Sequence, residues 1–158
     1  MHVSKKIINF LDNNKVKFDI LRHKTVYTAF DKAATLKVAP KIIGKTLVIR
    51  LDKAPALVLI QANKNLDKQK LNKIAKAKNI DFIKEAWIKK NLKGIKVGVV
   101  PPFGNLWKTQ TFVDRGLMVN QKIIINSGDY NFSIKISPSV LKKIIPDLIP
   151  GNFNQIRK

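Results

Sequence analysis

Apolar side chains recur along this chain at two different spacings, and the switches between them divide it into elements. In "KKIINFLDNN" (residues 5–14), Ile7, Ile8 and Leu11 fall on one helical stripe, with Asn13 and Asn14 as stop residues. "VKFDIL" then alternates Val16, Phe18 and Ile20 with Lys17 and Asp19, the period of a half-buried strand. "YTAFDKAATLKVAP" offers Thr28 as an N-cap and Asp31 at the third position after it, a capping pair feeding Ala33, Ala34 and Leu36, and Pro40 is expected to end the helix. "GKTLVIRL" and "ALVLIQA", separated by the turn-like "DKAP", predict a β-hairpin.

The second half repeats this alternation of spacings. "NLDKQKLNKIAKAKN" gathers Leu71, Ile74 and Ala75 on one face and lysines on the others, an amphipathic surface helix. A further helix over "IKEAWIKKNL" carries Trp87 and Ile88 and stops near Gly94. "IKVGVV", "TFVDRG", "KIIIN" and "FSIKI" read as strands, and "SPSVLKKII" as a closing helix with Ser137 as N-cap, Pro138 at its first position and Pro146 beyond it. The end, "PGNFNQIRK", is expected to fray. Strands pair early, helices intervene and strands return, which predicts an α+β fold with a mixed, largely antiparallel sheet flanked by helices. At 158 residues, a single domain over 1–158 with a frayed 151–158 is the expectation.

Composition narrows the function classes. No apolar stretch approaches the ~20 residues that cross a bilayer, and the apolar segment before Asp12 is too short for a secretory signal, so a cytoplasmic protein is expected. The absence of cysteine excludes disulfides and thiolate chemistry, and His2 and His23 leave no metal-ligand set; no metal and no cofactor are expected. The formal charge of +21, from 31 Lys and Arg against 10 Asp and Glu, attracts polyanions such as a phosphate backbone. The basic residues are 27 Lys and only 4 Arg, alongside 21 Ile and 14 Asn, which an AT-rich coding sequence also writes on any surface. Charge alone therefore leaves both readings open. The scarcity of Arg argues against base reading through bidentate forks.

No conventional acid/base constellation is visible. His23 lies between Arg22 and Lys24, where a surface or strand-edge role competes with that of a base, and Asp12, Asp19, Asp31, Asp67 and Asp81 fall at caps and turns. Two features stand out. Lys45 opens the run "GKTLVIR" on the same strand parity as Leu47 and Ile49, which sets its ammonium at the edge of the core, where it can hold a phosphate or carbonyl oxygen or simply snorkel into water. "VGVVPPFGN" combines Gly98, whose bare backbone can approach a ligand, with Pro101 and Pro102, which fix φ; this is either an oxyanion-binding loop or a strand ended by prolines and turned by Gly104.

In order along residues 5–146, "HKTVYTAFDKAATL", "GKTLVIR", "VGVVPPFG", "TFVDRG", "NSGDY" and "ISPSVLKKI" resemble the motifs of the YbaK and prolyl-tRNA-synthetase-associated editing domains. The resemblance implies a barrel-like editing-domain fold and hydrolysis of wrongly charged aminoacyl-tRNA, including Cys-, Ala- or Ser-charged species. It makes Lys45 the lysine that engages the tRNA 3′ end or the aminoacyl ester. Gly98 and Pro102 become the ends of the G-x-x-x-P loop that faces the ester carbonyl. Val26, Thr28, Phe30, Pro101, Phe103, Gly104, Ser127 and Gly128 are then candidates for contact with the substrate, and Phe112 for the pocket wall. Family members show no obvious general-base side chain, in keeping with the lack of a triad here. Two departures are visible: Pro101 takes a position often held by a small polar residue, and Ser133 stands where some members have Asp. The implied partners are tRNA and a synthetase. The competing reading is a non-catalytic basic RNA-binding module that keeps the same fold.

Overall fold

A computed structural model describes residues 3–156. The helices are α1 (Lys5–Asn13), α2 (Ala29–Leu36), α3 (Lys68–Ala75), α4 (Glu85–Asn91), α5 (Arg115–Met118) and α6 (Pro138–Ile144). The strands are β1 (Asp19–Arg22), β2 (Gly44–Leu51), β3 (Ala54–Gln61), β4 (Lys64–Leu66), β5 (Ile80–Phe82), β6 (Gln110–Asp114), β7 (Ile123–Asn126), β8 (Phe132–Ile136), β9 (Ile149–Gly151) and β10 (Asn154–Ile156). They form a sheet ordered β5-β2-β3-β6-β9, a sheet ordered β1-β8-β7 and the pair β10-β4. Only β3–β6 and β6–β9 run parallel within these sheets. The expected α+β class with a mixed, largely antiparallel arrangement is what the chain adopts. The barrel-like closure is not: the sheets stay open, with β5 and β9 as free edges of the largest and one isolated bridge, Ile43 to Ile124, linking it to the smaller sheet.

The hairpin β2–β3 pairs in register from Gly44 with Gln61 to Leu51 with Ala54. The run in β3 is continuously apolar because both of its faces are covered. Leu57 and Leu59 join the main core with Ile7 and Leu11 of α1, Ile123 and Ile125 of β7, Ile134 and Ile136 of β8, and Leu141 of α6. Val58 and Ile60 point the other way, into a second cluster with Ile49, Phe112, Leu71 of α3 and Phe153. Leu47 and Leu51 pack against that second cluster too, so the strand parity assigned to Lys45 holds.

Several expectations are corrected. "IKVGVV" is not a strand but a turn-rich connection. Gly98 has φ +89, and the two prolines that follow it have no N–H to give a ladder. The strand expected over residues 16–21 shrinks to β1, while Val16 and Phe18 pack on the core from a loop. Helix α2 ends at Lys37, in the left-handed region at φ 56, and Pro40 instead opens a 3-10 turn. Ser137 occupies the N-cap position of α6 without a side-chain capping bond. Residues 115–116 of "TFVDRG" begin α5 rather than extending β6.

The frayed terminus is also corrected for residues 151–156. Phe153 is fully buried, β9 and β10 pair with β6 and β4, and the buried Asp114 carboxylate accepts hydrogen bonds from the Phe153 amide and the Asn154 side chain, each at 2.9 Å. His2 and residues 157–158 lie outside the described residues. Among the described residues no helix is long and apolar enough to cross a membrane.

Candidate active site

Helix α2 begins where Thr28 accepts a hydrogen bond from the Asp31 amide at 3.0 Å, the cap read from the sequence. That start fixes the first turn, Thr28 to Phe30, beside the entry of β2. There Lys45 and Thr46 leave the hairpin's open end, opposite Ile60 and Leu59. Thr28, Ala29, Phe30, Lys45, Thr46, Leu47, Ala62, Asn65 and Gly98 together line one cavity of about 340 Å³. Lys45 is half-buried, and its Nζ lies 3.5 Å from the Ala62 carbonyl oxygen on the cavity wall. Thr46 is 9% exposed, and its hydroxyl is buried with no hydrogen-bond partner among the described residues.

Gly98 also lines this cavity, held by its neighbours rather than by a strand. The Lys96 amide donates to the Gly128 carbonyl at 2.9 Å, and the Gly128 amide donates to the Val99 carbonyl at 2.8 Å. The Tyr130 hydroxyl donates to the Val97 carbonyl at 2.6 Å. Lys96 Nζ meets Asp129 at 2.8 Å. Burial pushes the Asp129 carboxyl up, but that ammonium and the Asn131 amide outweigh it and hold it below its ordinary value. A Cβ at position 98 would find only the Tyr27 carbonyl, at an ordinary 3.6 Å, so it is the left-handed φ that calls for glycine here.

Pro101, Pro102, Phe103 and Gly104 are buried behind this turn and are not among the cavity-lining residues. The Thr111 hydroxyl donates to the Pro102 carbonyl at 3.0 Å and accepts the Gly104 amide at 3.1 Å, which bolts the bend to β6. A side chain on Gly104 would collide with Thr109 O and Thr111 Oγ1. The rigid turn is thus a brace for the segment that carries Gly98. Ser127 and Gly128 are likewise buried in the supporting loop, Ser127 donating to the Phe132 carbonyl at 2.6 Å. Val26 lines a separate cavity with Lys24 and Tyr27, and Phe112 belongs to the core on the α3 side.

His23 is half-buried and its ring is engaged on both sides. Nδ1 faces the Lys24 carbonyl at 2.8 Å and so donates, leaving Nε2 to accept the Ser133 hydroxyl at 2.9 Å. This pairing ties the end of β1 to β8, outside the cavity. The cavity also holds residues that the sequence motifs did not single out: Ala29, Thr46, Leu47, Ala62 and Asn65. Thr46 was within reach, as it follows Lys45 in "GKT"; the others are brought in by the hairpin's return.

Solved structures share this architecture. The crystal structure of hypothetical protein APE2540 superposes with a TM-score of 0.86 at 21% identity, covering 96% of this chain and 100% of that one. A protein proposed as a trans-editing enzyme for prolyl tRNA synthetase superposes with a TM-score of 0.80 at 18% identity, covering 98% and 99%. At such identities the likeness is one of fold. No curated protein sequence matches the chain. The family model of the aminoacyl-tRNA editing domain matches residues 23–144, well over half of the sequence. The chain belongs to the aminoacyl-tRNA editing domain family.

Proposed function

We propose that the protein is a free-standing aminoacyl-tRNA deacylase, hydrolysing the ester of tRNA charged with a small wrong amino acid such as cysteine, alanine or serine. The observation that carries this reading is the placement of Lys45 and Gly98 in the lining of one cavity. An aminoacyl ester is already activated, so a site that holds it beside fixed polar groups needs no dedicated base. Lys45 binds an oxygen of the terminal nucleotide or of the ester as a point charge. Water attacks the carbonyl carbon, the bond from that carbon to the ribose oxygen breaks, and the ribose oxygen takes a proton as the amino acid leaves. Pro101, Pro102 and Gly104 act through Gly98 by keeping its turn from reorganising as charge develops. The lysine-rich surface holds the tRNA body without sequence reading.

The test is release of amino acid from tRNAs charged with alanine, cysteine, serine and proline, measured at low salt. The reading expects turnover of at least one of them and a steep loss of tRNA affinity as salt rises. Absence of release from all four, with tRNA still retained, would instead favour a non-catalytic RNA-binding role.

A further inference from the structure

A second cleft, of about 320 Å³, lies away from the Lys45 cavity and is lined by Trp87, Trp107, Leu92, Leu106 and Pro55, with Asn91, Lys108 and Thr109 at its polar side. Trp87 comes from α4 and Trp107 from the short 3-10 turn Gly104–Trp107 that follows the braced proline bend. Both indoles are half-buried: each packs against the main core and keeps surface open to the cleft. No Asp or Glu is among the lining residues, whereas Lys108 lines it and Lys6 Nζ sits 5.7 Å from the centre of the Trp107 ring. The exposed Lys89, Lys90 and Lys93 continue the positive charge along the end of α4 and just beyond it.

Aromatic faces set among cations are how proteins hold unpaired bases, the ring stacking on the base and the ammonium groups meeting its phosphates. A proline-rich peptide also docks on aromatic grooves, but nothing in a chain of net charge +21 favours a neutral peptide over a polyanion. We propose that the Trp87–Trp107 cleft is a second RNA-contact site, taking an unpaired nucleobase against an indole face with its phosphates on the rim lysines. Its location suits one long ligand. Pro55 stands near the start of β3 and Ala62 just past its end, so cleft and cavity are separated by roughly the 20–25 Å of an eight-residue strand. A single tRNA can reach both. The proposal rests on RNA being the protein's partner, as in the deacylase reading, but not on catalysis.

The chain has two tryptophans and both line the cleft, so its intrinsic fluorescence reports occupancy directly. The experiment titrates the full chain with single-stranded polyadenylate, a double-stranded RNA, inorganic phosphate and a proline-rich peptide. Saturable quenching by polyadenylate, with far weaker response to duplex and phosphate, is expected. Trp107→Leu should weaken polyadenylate binding about tenfold or more. Lys6→Glu, at an exposed position that does not threaten folding, should also weaken it. Lys45→Ala should leave quenching intact. No quenching by polyadenylate, equal quenching by phosphate, or quenching by the peptide alone overturns the proposal. If release of amino acid persists without quenching, the second site fails and the deacylase reading stands; quenching without release is the reverse.

Discussion

Lys45 and Gly98 face one another's cavity from segments that share no strand pairing, one at the entry of β2 and the other in a turn tied down by Gly128, Tyr130 and Asp129. If Lys45 holds an oxygen of the ester, Lys45→Ala should lower deacylation kcat/KM by about 10²-fold or more, the range for losing one fixed stabilising group. The side chain is half-buried at the entry of β2, so the denaturation midpoint should barely move. Equal losses in activity and stability would reduce Lys45 to a packing residue.

Gly98→Ala separates backbone conformation from space. A methyl group fits at 3.6 Å from the Tyr27 carbonyl, but φ +89 is strained for any L side chain. A stability loss of about 1–2 kcal/mol is expected. Because the strain is relieved by moving the turn that walls the cavity, deacylation should fall by more than unfolding at the assay temperature explains. The measurement pairs chemical denaturation with single-turnover release; unchanged chemistry in the folded fraction would detach Gly98 from the site.

Local chemistry made much of this legible. Thr28 and Asp31 marked the start of α2, the alternation in "GKTLVIRL" and "ALVLIQA" marked the hairpin, and Lys45 was placed by parity alone. What failed was whatever depends on distant partners. β4, β5, β9 and β10 are three residues each, too short to show a period, and exist because Asn154, Gln155 and Ile156 find β4, Ile149 finds β6, and Ile80 to Phe82 find the end of β2. "IKVGVV" looks like a strand by composition, yet among the described residues its backbone pairs across only with Gly128. Lys32, which no sequence motif singles out, is 2% exposed.

The carboxylate of Asp114 ties the C-terminal segment to the end of β6. Besides Phe153 and Asn154 it accepts the Gly116 amide at 2.9 Å, capping α5. Asp114→Ala leaves the buried Phe153 amide without its acceptor and should destabilise the protein by about 2–4 kcal/mol. Limited proteolysis should then cut within residues 151–156 before the rest of the chain. Uniform cleavage, or none, would show that Phe153 packing alone holds the segment.

Lys32 gives a pH dependence opposite to that of an ordinary ion pair. Its Nζ donates to Asn126 Oδ1 at 2.6 Å inside the protein, and burial lowers its pKa from 10.5 to about 8. Between those two values the unfolded chain holds a proton that the folded chain has released, so stability should rise with pH from about 8 to 10.5. Below that window the buried charge costs up to about 3 kcal/mol. Replacing the pair by Lys32→Met with Asn126→Leu removes both the charge and the acceptor that would otherwise be orphaned. The double variant should therefore be more stable than the parent by about 1–3 kcal/mol near neutral pH, with the advantage shrinking as the parent's lysine deprotonates. Denaturant titrations on both sides of the window measure this. An advantage that stays constant through it would mean that Lys32 carries its charge into the folded state at no cost, solvated by a route the buried α2–β7 packing does not provide.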